Sequence, residues 1–257
     1  MSSKNFYKNQ SGTFQAYIKN TNQKEILAKN IVKKISSSFN LEENKEFVFT
    51  DIGAGDGKVT IPVIDCLQAK CKLVCNIIEP SDLIEDFKKN CNFQNVNYFK
   101  KKIDDLTIPK SDFILISHVL VYLNDLNNVV REVYTALKDG GIALIIETNP
   151  DSDDVKMKIK LKRVFASQKN LKMTKDIINF LKTNSIKYQV DVIPSEINTS
   201  GCISLNEDGK AIISFFYHKP FEELSKKEIT DFQIAVKQLT EGGNKLTKKE
   251  DYVWIYK

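Results

Sequence analysis

Apolar positions along the chain change period several times, and each change marks a boundary between elements. From residue 21 to 39, Leu27, Ile31 and Ile35 recur with Ala28, Val32 and Phe39 at helical spacing, so an amphipathic helix is predicted after a polar start. The period then shortens. Runs at 46–51, 72–79, 95–100, 112–117 and 142–147 read as strands, several of them continuously apolar, as strands covered on both faces are. Helical patterns separate them at 57–69, at 81–90 with Ser81 as N-cap, and at 124–138, where Leu126, Val129, Val130, Val133 and Leu137 share one face. Gly140 and Gly141 are expected to end that helix. The alternation predicts an α/β fold with a mostly parallel, doubly wound sheet. Beyond it the pattern gives a helix at 174–184, a strand at 187–193, two helical stretches across 204–239 and a final strand at 251–256. Residues 155–162, VKMKIKLK, alternate like a strand, but the preceding DSDD marks a helix start, and a helix is predicted. More than fifty residues join the last two strands, a length that more often carries function than not.

Composition narrows the class. With 42% hydrophobic and 28% charged residues among 257, the chain has enough apolar material for one large α/β domain. The start MSSKNFYKNQ lacks an apolar signal core, and no run reaches the roughly 18–20 apolar residues of a membrane span. A soluble, cytoplasmic monomer without a membrane partner is expected. Cys66, Cys71, Cys75, Cys91 and Cys202 show no paired C-x-x-C spacing and are expected as reduced core thiols; no metal site is expected. The net charge of +5 arises from many lysines balanced by many acids, and alone it does not point to nucleic acid.

Candidate chemistry begins at FVFTDIGAGDGKVTIPV, residues 47–63. A loop leaving a strand with Gly53, Gly55 and Gly57 turns tightly and brings bare backbone against a ligand. A dinucleotide fingerprint requires a small residue at position 58, where this chain has Lys58. The spacing is D-x-G-x-G-x-G instead, with Asp51 at the strand end. Further on, IIEPS (77–81), KKIDDL (101–106), ISHVLVYL (116–123) and LKDGGIALIIE (137–147) follow in order. Together these segments resemble the class I S-adenosylmethionine (SAM) dependent methyltransferases over most of the chain.

That resemblance implies a Rossmann-like seven-stranded sheet with its last strand antiparallel. It also implies one domain, with an N-terminal helical cap over 1–40, a SAM-binding core over 41–150, and substrate-side helices with the final strands over 151–257. SAM is the implied cofactor and S-adenosylhomocysteine (SAH) the product. Implied cofactor contacts are Asp51, Gly53, Ala54, Gly55 and Gly57 in the first loop, Glu79 and Pro80 after the second strand, Ile103 with Asp104 or Asp105 at adenine, and Ser117. Glu79 would accept from both ribose hydroxyls, each charge-assisted bond contributing about 1.5–3 kcal/mol.

Methyl transfer is an in-line displacement that requires placement rather than a protein nucleophile. His118 and Tyr122 stand where the methyl group emerges in this family, and His118 could bond an acceptor or take its proton. No N-P-P-Y follows the strand at 112–117, and no cysteine stands there. The EPS triplet, the tyrosine at 122 and IKYQVDVIPSEINTSGCI (186–203) with a helical stretch after it resemble histamine N-methyltransferase and its small-molecule relatives. That likeness implies a small amine acceptor enclosed by aromatics of the N-terminal segment, here Phe6, Tyr7, Phe14 and Tyr17. It also implies an acid of the first helix at the amine, with Glu25 the candidate and Gln23 fitting almost as well. Two other readings stand beside it: an RNA or protein methyltransferase using lysines near 100–102 and 156–163, and a non-catalytic SAM binder or a nicotinamide enzyme.

Overall fold

The computed structural model describes residues 11–103, 106–123, 125–161 and 173–257. Seven strands, β1 (Glu46–Ile52), β2 (Lys72–Ile78), β3 (Val96–Phe99), β4 (Ser111–Ser117), β5 (Leu137–Thr148), β6 (Lys187–Asn198) and β7 (Lys245–Tyr256), form one sheet in the order β3-β2-β1-β4-β5-β7-β6. β1 pairs in parallel with β2 and β4, β2 with β3, and β4 with β5. The last strand is antiparallel, as expected. Chain order reverses between β1 and β4, which makes the carboxyl ends of those two strands the place where an open α/β sheet leaves a crevice for a ligand.

The described residues fall into two compact units. The first lies within 24–148, 169–192 and 251–257. In it β1 is buried at every position but its first, and Ile52, Ile114, Val130, Ile145, Ile177 and Val253 belong to one core. The helices of this unit are α3 (Thr60–Leu67), α4 (Leu83–Asn90), α5 (Leu126–Ala136) and α7 (Met173–Thr183), of which α5 and α7 contribute to that core. The second unit lies within 1–23, 149–168 and 193–250, with a core that includes Tyr17, Met157, Cys202, Phe216, Phe232 and Leu246. Its helices are α1 (Ser11–Lys19), α6 (Asp153–Lys160), α8 (Ser200–Ser204), α9 (Glu207–Tyr217) and α10 (Lys226–Leu239). One more helix, α2 (Gln23–Ser38), begins at the last residue of this unit's first segment.

Several elements differ from the sequence expectation, each for a local reason. The helix α1 lies in the stretch read as polar, where Tyr17 stacks on Phe215 at 4.3 Å, a contact 198 positions away that no local period announces. The glycines at 140 and 141 do not cap α5, which ends at Ala136; they lie inside β5, where Gly140 N–H donates to the Lys257 carbonyl and Gly141 accepts from Lys257 N–H. Ser81 does act at the start of α4 as expected: its hydroxyl accepts from Leu83 N–H at 3.3 Å, whereas Asp82, already helical in φ and ψ, makes no side-chain cap bond. The stretch read as helix at 155–162 is helical over α6, with Lys156 and Lys158 reaching back to Asp153 at 3.1 Å and Asp154 at 3.8 Å. Among the described residues no helix is long and apolar enough to cross a membrane. All five cysteines are free thiols, and Cys71, Cys75 and Cys202 are buried.

Candidate functional site

The loop after β1 owes its shape to glycine. Gly53, Gly55 and Gly57 have φ of +79°, +56° and +80°, a region that side chains with a Cβ rarely adopt. Their surroundings differ. A Cβ on Gly53 would lie 2.2 Å from Val119 Cγ2, just past β4, and one on Gly57 would lie 2.7 Å from the Phe87 ring of α4. At Gly55 the same Cβ would meet only Leu83 Cδ1 at 3.9 Å. Gly53 and Gly57 thus admit close packing at the switch point, whereas Gly55 leaves its backbone uncovered.

The tip of β2 is tied to this loop by Glu79. Its two carboxylate oxygens accept from Gly55 N–H at 2.9 Å and from Ser81 N–H at 2.8 Å, and the residue is 7% exposed. Gly53 N–H donates to the Ile78 carbonyl at 2.7 Å. The ends of β1 and β2 are therefore joined directly. Below the loop, Asp51 is 3% exposed and accepts from the Thr60 hydroxyl at the start of α3. Burial pushes the Asp51 carboxyl up to about 7; the Thr60 bond opposes that rise and the charge of Glu79 adds to it. Asp56, further along the loop, pairs with Lys24 of α2 at 3.3 Å and with Lys58 at 2.8 Å. Burial lowers the pKa of Lys24, and Asp56 acts against that shift.

Beyond β4 the backbone turns sharply. His118 is half-buried with φ +56°, and its N–H donates to the Ile146 carbonyl at 3.1 Å. A left-handed histidine at a strand end is a conformation held by its surroundings. Ser117, half-buried, is the last residue of β4. Tyr122 ends a short 3-10 turn, Leu120–Tyr122, and is 67% exposed. Ala54 is half-buried in the loop, Pro80 is exposed, and Ile103 is buried at 3%. Asp104, Asp105, Phe6 and Tyr7 lie outside the described residues. The first unit thus joins the glycine loop to Glu79 by a direct bond, holds Asp51 through Thr60, and sets Gly53 against the segment carrying His118.

Acceptor candidates of the N-terminal segment fall in different settings. Tyr17 is buried against Phe215 and Phe216, and Phe14, 39% exposed, lies 6.0 Å from Phe215. Glu25 is exposed and paired with Lys29 one helical turn on, at 2.7 Å. Gln23, in the second unit, is instead buried in a polar cluster. Its amide nitrogen donates to Glu250, its amide oxygen accepts from Lys248 at 2.6 Å, and Lys248 and Glu250 pair at 3.3 Å. The Lys248 ammonium is 5.9 Å from the Tyr17 ring centroid. Of the lysines considered for a phosphate surface, four are engaged with neighbours: Lys100 with Asp82 at 2.7 Å, Lys156 with Asp153, Lys158 with Asp154, and Lys160 with Gln238 at 3.1 Å.

Four residues of these arrangements escape a sequence reading. Thr60 and Val119 show no signal of their own, because each acts through contact with a loop residue. Lys248 and Glu250 could have been found, since Leu246, Lys248 and Glu250 alternate with the half-buried Thr247 and Lys249 at strand period.

Comparison with known proteins follows the same outline. A methyltransferase domain model matches residues 50–143. No protein of curated function matches the chain. Among solved structures, the YcgJ protein of Bacillus subtilis is similar at 17% identity, covering 90% of this chain and 97% of its own, with a TM-score of 0.56. A SAM-dependent methyltransferase of Thermotoga maritima, described as a possible histamine N-methyltransferase, is similar at 14% identity over 98% of this chain and 99% of its own, with a TM-score of 0.54. The plantazolicin methyltransferase BpumL, solved with SAH, is similar at 13% identity over 99% of this chain and 88% of its own, also with a TM-score of 0.54.

Proposed function

We propose that the chain is a SAM-dependent methyltransferase on the class I fold and that its acceptor is a small molecule, methylated at an amine nitrogen. The observation that carries the placement of the cofactor is the Glu79 bridge between the tips of β1 and β2. The residues fit SAM: a Cβ at Gly55 would meet nothing nearer than Leu83 Cδ1 at 3.9 Å, and the polar atoms around it are carboxylates and peptide groups, suited to a nucleoside with positive charge. SAM, when bound, supplies a methyl group on a cationic sulfur that an acceptor lone pair displaces in line.

The chain's own groups do the rest. Each Glu79 oxygen accepts one N–H and retains a second lone pair for a ribose hydroxyl. Gly53, Ala54, Gly55 and Gly57 present backbone to the ligand, Pro80 and Ile103 flank it, and Ser117 closes the β4 side. His118 takes the proton that an amine gives up, and Tyr122 lines the acceptor side. Orientation of this kind contributes up to about 7–11 kcal/mol in the best cases without any covalent step. A single catalytic domain and a cytoplasmic monomer complete the reading.

Glu79→Ala is expected to weaken SAM binding at least about tenfold, because it removes a charge-assisted acceptor. Calorimetry measures this, with circular dichroism as a check on folding. An unchanged dissociation constant would remove Glu79 from the ribose.

A labelled-methyl assay over amines, thiols, phenols and bulk RNA decides the acceptor class. Label on an amine is expected, at a rate that changes less than about threefold between 50 and 300 mM salt. Label on RNA with a steep loss at high salt, as counterion release demands, would replace the small-molecule reading.

A further inference from the structure

The carboxylates beneath and beside the glycine loop have no cation of their own. Among the described residues, neither Asp51 nor Glu79 forms an ion pair, and the two lysines that reach the loop, Lys24 and Lys58, are both held by Asp56. Glu79 is satisfied by two peptide N–H groups. Asp51 has the Thr60 hydroxyl, and the titratable neighbours acting with it are Glu79 and Cys75, both on the β2 segment. Neither can supply positive charge. The site is therefore built with an excess of negative charge in a poorly screened place, where a single ligand charge changes the energy of a carboxylate far more than it would in water.

SAM and SAH share every group but one: the sulfur carries a methyl and a positive charge in the first and neither in the second. We propose that Asp51 is the residue by which this site distinguishes the sulfonium cofactor from its thioether product, losing its proton to solvent when the cation binds and regaining one when the neutral product is left. The inference rests on the SAM reading above. It deepens that reading, because it makes product release favourable after transfer: the carboxylate that favours the cation is neutralised once the cation has gone.

The sign follows from linkage. A carboxyl that must lose a proton for tight binding gives an affinity that rises with pH and levels off once the free protein is already ionised. Calorimetry on the full chain with SAM, and separately with SAH, from pH 5.5 to 8.5 in two buffers of different ionisation heat, reads both affinity and proton count. SAM affinity is expected to rise about tenfold between pH 5.5 and 7 and to level off above, with net proton release at the acid end, while SAH affinity changes less than about twofold. Asp51→Asn is expected to flatten the SAM profile. Equal slopes for SAM and SAH, or a slope retained in Asp51→Asn, would overturn the proposal. Should that variant fail to fold, the proton counts of the unaltered protein decide alone: equal release with the two ligands overturns it, and release confined to SAM supports it. SAM binding that is indifferent to pH defeats this inference only, whereas no SAM binding at any pH defeats the cofactor reading as well.

Discussion

Lys248→Ala is expected to cost about 3–5 kcal/mol of folding stability, the range for removing one partner of a buried ion pair. Lys248 is 6% exposed and Glu250 1%, so the carboxylate left behind cannot reach water without distorting β7. Gln23 does not replace the lost ammonium. Its amide nitrogen already donates to Glu250, and its amide oxygen, which accepted from Lys248, loses that partner too. Against a total stability of about 5–15 kcal/mol this is a large fraction. Urea unfolding measures it as a lowered midpoint at unchanged slope. The double variant Lys248→Met, Glu250→Leu is expected to recover most of the loss, because apolar side chains of similar volume need no partner. A loss below about 1 kcal/mol for Lys248→Ala would mean that the pair is solvated and the cluster is not a structural unit.

Gly53→Ala is expected to destabilise the chain by about 2–5 kcal/mol and to weaken SAM binding about a hundredfold. Two costs combine. A left-handed backbone costs an L residue about 1–2 kcal/mol, and forcing a methyl group into packed space adds about 1–3 kcal/mol. The space is packed here because Val119 Cγ2 stands 2.2 Å from where the Cβ would go. Relief requires the loop or the segment carrying His118 to shift, and a displacement near 1 Å at a binding centre is worth about a hundredfold. Gly55→Ala is the control. It bears only the backbone cost, since its Cβ would make no more than ordinary contact with Leu83 Cδ1 at 3.9 Å, so it should keep most of the stability while losing affinity. Equal behaviour of the two variants would show that conformation, not contact with Val119, governs the loop.

Much of this arrangement was legible before any coordinates, and the legible part has a common cause. The D-x-G-x-G-x-G stretch, the acidic end of β2 and the apolar strands are local: spacing and period carry them within a dozen residues. The helix at α6 was readable from the acids that begin it, although its lysines alternate like a strand. What was not legible depends on distant partners. β7 begins at Lys245, ahead of the strand predicted at 251–256: the charged Lys248 and Glu250 face inward, satisfied by Gln23 more than two hundred positions earlier. The glycines at 140 and 141 read as a helix stop until the final strand is present to bond them. Gln23 and Glu25 stood nearly level as acceptor candidates, and their settings differ sharply: one is buried among charges, the other is in solvent beside Lys29. His118 and Tyr122 were legible as positions, but the left-handed turn that sets the first of them was not.

The Glu79 bridge has a kinetic consequence. A loop already clasped through two peptide hydrogens need not be ordered by its guest, so little conformational entropy is lost on arrival. Complex formation at this end of the sheet should then behave as a single encounter, its rate linear in ligand concentration and free of the plateau that a slow rearrangement imposes.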